Sequence, residues 1–128
     1  MAEMSNYLEN ALVNATLRNT SYTSPATIYV ALYTTDPTDA DTGTEVAGNG
    51  YARQSVAFSA PSNGATSNSA AVEFPQATGS WGTVAYIGLR DASSGGNLLY
   101  HTALDASKTI ATGDVFRIAI GSLSVTLT

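Results

Sequence analysis

The first apolar pattern along the chain has the spacing of a helix. Residues 5–17 form the predicted helix, and apolar side chains recur three and four positions apart at Met4, Tyr7, Leu8, Ala11, Leu12 and Ala15. This spacing places them on one face of an amphipathic helix. Ser5 is suited to N-capping, and Glu9 lies early enough to interact favourably with the helix dipole. A helix of this length is marginal in isolation. The stripe is therefore expected to pack on its own domain or, as an arm, on a neighbouring subunit.

After a turn-rich segment, the pattern changes to that of strands. Residues 27–34 are apolar or aromatic on both faces, which indicates a central strand covered on both sides. Further strands are expected at 51–59, 71–74, 83–89, 98–103, 108–110, 115–120 and 122–128. About eight strands separated by turn signals predict an all-β fold, an antiparallel β-sandwich or jelly-roll-like domain with one N-terminal amphipathic helix.

The length of 128 residues fits a single domain covering 1–128. Within it, 1–20 is expected to form the helix or arm and 27–128 the β-sandwich. The polar loop at residues 35–50 is longer than most connections in compact domains, which indicates a functional or interface loop.

The composition is poor in charge, so the surface of the folded chain carries few charged groups. Only 12% of the residues are charged, whereas about 25% is usual. Such a surface fits a subunit packed into an assembly. The net charge of -5 disfavours nucleic acid as a partner. The absence of cysteine excludes disulfides and thiolate metal sites. No apolar run suits a membrane span and no secretory signal is evident, so synthesis in a cytoplasm is expected.

Candidate catalytic chemistry is sparse. His101 is the one histidine, and Asp91 and Asp105 flank the hairpin that contains it, so a serine triad is conceivable from the sequence. No G-x-S-x-G motif accompanies them, and we expect no enzyme activity, no catalytic residues and no cofactor.

Four loop carboxylates are the best candidates for a metal site. Asp36, Asp39, Asp41 and Glu45 lie close together in sequence, as calcium ligands often do. The spacing does not match that of an EF-hand, and the same residues are common in turns. The prediction is therefore that no metal is bound.

Aromatic residues and two arginines in strands are the candidates for contacts between proteins. Tyrosine, tryptophan and arginine are enriched at interfaces. Arg90 is expected to pair locally with Asp91 or Asp105. The complete set of interface candidates is Met4, Tyr7, Leu8, Tyr22, Tyr51, Arg53, Trp81 and Arg90.

Three stretches of the sequence resemble a group of small bacteriophage virion proteins. They are "YVALYTTDPTDADTGTEV", "GYARQSVAF" and "WGTVAYIGLRDA", and the likeness continues through nearly the whole chain. Proteins of this group are commonly labelled tail fibre proteins, and similar small β-rich proteins serve as capsid cement. The resemblance implies a structural protein of the virion, made in the cytoplasm of the bacterial host.

The composition of the chain favours one position in the particle. Low charge with abundant Ser, Thr and Tyr suits well-packed polar contacts. We therefore predict a capsid decoration (cement) protein that binds over capsid subunit joints and stabilises the head. Its partners would be the major capsid protein or other virion proteins and further copies of itself, with a trimer favoured, but no nucleic acid and no membrane. The first alternative is a small tail or tail-fibre component involved in host adsorption. The second is a carbohydrate-binding β-sandwich module.

Overall fold

The computed structural model describes residues 2–127. Within this range the chain forms one helix and nine strands. In chain order they are β1 (Glu3–Met4), α1 (Asn6–Leu17), β2 (Ile28–Tyr33), β3 (Gln54–Val56), β4 (Ala65–Ser67), β5 (Val72–Glu73), β6 (Gly82–Arg90), β7 (Leu98–Ile110), β8 (Arg117–Ile118) and β9 (Ser124–Thr126).

The longest strands form one antiparallel sheet in the order β1-β7-β6-β2-β3. The ladder between β6 and β7 pairs Leu89 with Tyr100 and, after a register shift between Val84 and Tyr86, Thr83 with Thr109. β7 therefore runs unbroken where two strands, 98–103 and 108–110, were predicted. The sequence does not reveal this continuity because residues 105–107 are small or polar and exposed.

The remaining strands form two short ladders, β4 with β9 and β5 with β8. Val72, Ile118 and Val125 from these ladders enter the same buried core as Val30 and Leu89 of the main sheet. The all-β class with one N-terminal helix is therefore confirmed. The sandwich or jelly-roll arrangement is not confirmed, because the strands outside the main sheet form two separate ladders rather than one second sheet.

Several strand boundaries differ from the prediction. The strand expected at 51–59 is limited to Gln54–Val56, and that at 115–120 to Arg117–Ile118. β4 lies in a segment expected to be loop, because Ala65–Ser67 has no large apolar side chain to signal a strand. Of the strand predicted at 122–128, Ser124–Thr126 is strand, and residue 128 lies outside the described residues.

The helix docks on the main sheet at its N-terminal end. The predicted cap is confirmed: the Ser5 hydroxyl accepts a hydrogen bond from the Leu8 N–H at 3.2 Å. The same hydroxyl donates to the Leu98 carbonyl on β7. Leu8 is buried, whereas Val13 is 51% and Leu17 79% exposed. The helix thus packs on its own chain through one end of its stripe. No helix in the described chain has the length and hydropathy needed to cross a bilayer.

An aromatic cluster forms part of the core beside residues 35–50, which we call the β2–β3 loop. The rings of Tyr51 and Trp81 meet edge to face with centroids 5.5 Å apart, and Phe74 contacts Phe116 in the same way at 5.7 Å. The indole N–H of Trp81 donates to the Asn49 carbonyl at 2.8 Å. The cluster therefore fixes the end of the loop as well as filling the core.

Candidate functional site

The β2–β3 loop is held in one conformation by its own polar groups. The Asp36 carboxylate accepts a hydrogen bond from the Thr38 N–H at 2.9 Å, and the Pro37 carbonyl accepts one from the Thr42 N–H at 2.6 Å. At Gly43, a Cβ atom would lie 2.7 Å from the Cα atom of Pro37, so the loop packs on itself too closely for a side chain there. This folding directs the three carboxylates that follow Asp36 to different partners.

Glu45 is the partner of Arg53. The Arg53 guanidinium donates to both carboxylate oxygens of Glu45, each at 2.8 Å, and the Tyr51 hydroxyl donates to the same carboxylate at 2.6 Å. The Arg53 side chain is 8% exposed and that of Glu45 24%. The pair is therefore bidentate and largely shielded from water, the geometry in which such bonds are strongest.

Asp41 is the partner of Arg90. The Arg90 guanidinium donates to the two carboxylate oxygens of Asp41 at 2.8 and 2.9 Å and to the Tyr33 hydroxyl at 2.9 Å. Arg90 is 7% exposed. The expectation that Arg90 pairs with Asp91 or Asp105 is wrong. The Asp91 carboxylate instead accepts the backbone N–H of Asn97 at 2.7 Å and closes the hairpin.

Both arginines also bind the β6–β7 connection, residues 91–97. Arg53 donates to the carbonyls of Ala92 and Gly95, each at 2.9 Å. Arg90 donates to the carbonyls of Gly95 at 3.2 Å and Gly96 at 3.0 Å. The two side chains therefore join the β2–β3 loop to the β6–β7 connection. They act as cross-links within the chain.

The charges in this network perturb one another's titration. Burial alone would raise the pKa of Glu45, but the hydrogen bonds from Arg53 and Tyr51 and the charge of Arg53 outweigh it, so the pKa of Glu45 is lowered. Burial, together with the hydrogen bond to Glu45, raises the pKa of Tyr51. Although burial opposes it, the bonds to Asp41 and Tyr33 raise the pKa of Arg90. Glu45, Arg53 and Arg90 therefore stay charged at neutral pH.

His101 binds a loop carboxylate that differs from those bound by Arg53 and Arg90. Its Nε2 atom is 2.8 Å from Oδ1 of Asp39 and 3.8 Å from Oε2 of Glu3, and its Nδ1 atom is 3.8 Å from Oδ1 of Asp36. The imidazole is 5% exposed. The carboxylate beside His101 is thus Asp39 and not Asp91 or Asp105, so the triad considered from the sequence is not assembled as expected.

The four loop carboxylates do not converge on one point. Asp41 and Glu45 are bound by arginine, whereas Asp39 binds His101. A calcium site built from Asp36, Asp39, Asp41 and Glu45 would need their oxygens to surround one ion. The geometry does not provide this arrangement.

The interface candidates fall into three groups by the exposure of the whole residue. Tyr7 is 43% exposed, and Met4, Tyr22, Tyr51 and Arg53 are half-buried, whereas Leu8, Trp81 and Arg90 are buried. That any of these eight residues contacts another protein stays a prediction.

The exposure of Trp81 bears on the carbohydrate-binding alternative. Trp81 is 4% exposed and packs edge to face within the aromatic cluster. A sugar platform needs an accessible ring face. The Trp81 ring offers none, so Trp81 does not provide a platform for a sugar.

The structural roles of two polar residues were missed from the sequence. Tyr33 was assigned to a strand without a polar role, and Asn68 was placed in a loop. Asn68 is 1% exposed, and its side-chain amide bonds the carbonyls of Ala70 and Ala119 and the N–H of Leu123. The scarcity of charge was the one feature of the sequence that could have indicated the ion pairs. A buried arginine requires a carboxylate partner, and in this chain the long acidic loop offers several of the few carboxylates.

An all-β chain that uses its buried arginines to fix its own loops has the features of a structural protein. A protein-family model described as podophage GP4 fiber I protein gp80 matches residues 3–126. The chain therefore belongs to this family of phage fibre proteins, and the resemblance to small phage virion proteins is confirmed. A search of curated proteins finds no match to the chain.

Proposed function

We propose that the chain is a small structural component of a fibre in a podophage virion and takes part in host adsorption. The observation that carries this proposal is the family match over residues 3–126. It supports the tail-fibre alternative better than capsid decoration, which had been the main prediction. The family description names a fibre protein and not a head protein.

The internal cross-links support a structural role. Arg53 and Arg90 each bind one loop carboxylate and at least two hairpin carbonyls, and both are largely buried. Loops held in this way keep a fixed shape without a ligand. A fixed surface favours specific contacts, because little conformational entropy is lost when a partner binds.

We propose that α1 provides the contact with a neighbouring virion protein. Tyr7, Val13 and Leu17 are exposed apolar or aromatic residues on this one short helix. Exposed apolar groups with tyrosine are typical of the centres of protein interfaces. A fibre protein must bind other proteins of the particle, and α1 supplies a surface for this contact.

The oligomeric state belongs to the same proposal. A closed homo-oligomer, with a trimer favoured, would repeat each α1 surface and multiply its affinity for the particle. Light scattering of the purified chain measures its mass in solution and tests this directly. We expect the mass of a trimer. The mass of a monomer at high protein concentration would oppose the proposal.

The function is tested in phage carrying a deletion of this gene. We expect slowed adsorption to host cells, restored by the wild-type gene, while heads keep their resistance to heat. Fragile heads with normal adsorption would instead support capsid decoration.

A point variant separates the docking surface from the fold. Leu17→Asp places a charge on the 79%-exposed α1 residue, and Ile120→Asp does the same at a 66%-exposed position outside the helix. Particles should lose the Leu17→Asp chain and retain the Ile120→Asp chain, as measured by mass spectrometry of purified virions. Equal incorporation of both variants would contradict docking through α1.

A further inference from the structure

His101 is surrounded by carboxylates to an extent that its structural role does not require. Asp39 alone satisfies its Nε2 atom at 2.8 Å. Glu3 and Asp36 nevertheless place oxygens 3.8 Å from the ring nitrogens. Among residues 2–127, no Lys or Arg forms a salt bridge with any of these three carboxylates. Three carboxylates therefore lie around one imidazole, a set of ligand groups that a divalent cation can bind.

We propose that Glu3, Asp39 and His101 bind one Zn²⁺ ion. One ligand atom from each of these residues lies within 4.8 Å of the other two. The combination of one imidazole and two carboxylates suits zinc, whereas calcium and magnesium prefer ligand sets made of oxygen. The proposal is independent of the fibre function.

The distances fit a tetrahedral ion after small shifts. With ligand bonds of about 2.1 Å, two ligands of a tetrahedral zinc lie about 3.4 Å apart. The Nε2 atom of His101 is 2.8 Å from Asp39 and 3.8 Å from Glu3, so each carboxylate must move by about half an ångström. Their side chains are 46% and 71% exposed, which leaves them free to make this adjustment.

Asp36 occupies the position of a supporting group. A metal-bound histidine usually directs its other ring N–H toward a carboxylate or carbonyl. The Nδ1 atom of His101 faces Asp36 at 3.8 Å, while Nε2 faces the proposed ion. Binding at Nε2 therefore leaves Nδ1–H directed toward an anionic partner.

The site would connect three separate parts of the chain. Glu3 lies on β1, His101 lies opposite it on β7, and Asp39 belongs to the β2–β3 loop. The Asp39 carbonyl also accepts the N–H of Asn6 at the start of α1 at 2.8 Å. An ion at this point would hold β1 and the beginning of α1 to the loop. It would thereby stabilise the folded chain.

The test is calorimetric titration of the chelator-treated full chain with ZnCl₂. We expect one ion per chain with micromolar or tighter affinity and a higher Tm in its presence. Glu3→Gln and Asp39→Asn change exposed side chains and should leave the fold intact, yet each should weaken zinc binding by about tenfold or more. Asp105→Asn removes an exposed carboxylate from the same strand as His101 and should retain wild-type affinity.

Three outcomes would overturn the proposed zinc site. No heat of binding and no change in Tm at millimolar ZnCl₂ would overturn the site. Wild-type affinity in Glu3→Gln and Asp39→Asn would place the ion elsewhere and overturn this assignment. CaCl₂ binding as tightly as ZnCl₂ would overturn the choice of metal.

Discussion

Replacing Glu45 with glutamine removes the charge that Arg53 requires in its shielded position. The wild-type carboxylate accepts two hydrogen bonds from Arg53 and one from Tyr51, between 2.6 and 2.8 Å. The Arg53 side chain is 8% exposed, so little water can replace the lost contacts. The variant keeps the shape of the side chain and isolates the effect of the charge.

The expected loss follows from the burial of the pair. Breaking a buried ion pair by removing one partner typically costs about 3–5 kcal/mol. The lower end applies here, because Glu45 is 24% exposed and Arg53 keeps its bonds to the carbonyls of Ala92 and Gly95. We therefore expect Glu45→Gln to lower the free energy of unfolding by about 3 kcal/mol.

Urea unfolding monitored by fluorescence measures this loss. Trp81 is the one tryptophan of the chain and is buried, so its emission reports global unfolding. With an m-value of about 2 kcal/mol/M, the midpoint should fall by about 1.5 M. Glu73→Gln is the matched control, since Glu73 pairs with Arg117 at 3.9 Å with both side chains more than half exposed. It should cost less than about 0.5 kcal/mol. Equal small losses of stability in both variants would show that the Glu45–Arg53 pair contributes no more than the exposed Glu73–Arg117 pair.

Three further predictions follow from the same structure. Because the pKa of Glu45 is lowered in the folded chain, its stabilisation is complete above the ordinary value of 4.5 and is lost as pH falls through the folded value. Below pH 4.5, wild-type stability should therefore fall more steeply than that of Glu45→Gln in urea titrations; parallel curves would contradict this. Gly88→Ala places a Cβ atom 2.7 Å from the Tyr33 ring and 2.8 Å from Leu98. It should cost about 2 kcal/mol by overpacking, and an unchanged Tm would oppose this. Asn68→Ala removes the three hydrogen bonds of a buried side chain. It should cost about 3 kcal/mol, measured by urea unfolding, and a cost under 1 kcal/mol would show that those bonds contribute little.

The periodicity of apolar residues was sufficient to predict the helix and the strands that bury apolar side chains at regular spacing. The helix was predicted with its Ser5 cap, and β2 was predicted as a covered central strand; it pairs with β3 and β6. β4 and the middle of β7 were missed, because residues 65–67 and 105–107 are small or polar. Such residues leave no alternating apolar pattern that would indicate a strand.

The candidate site was less accessible from sequence than the fold. Arg90 and Asp41 are far apart in the chain, and their pairing depends on how the β2–β3 loop folds back over the sheet. Local proximity pointed to Asp91, which instead closes its own hairpin. The sequence did identify the long acidic loop and the strand arginines as unusual. It could not assign their partners, since that requires the tertiary path of the loop.

The proposed place of the chain is in a fibre of the virion. Difference maps from cryo-electron microscopy of wild-type and deletion particles show this place. The deletion should remove density from a fibre while the capsid surface stays unchanged. Loss of density from the capsid surface, with complete fibres, would contradict it.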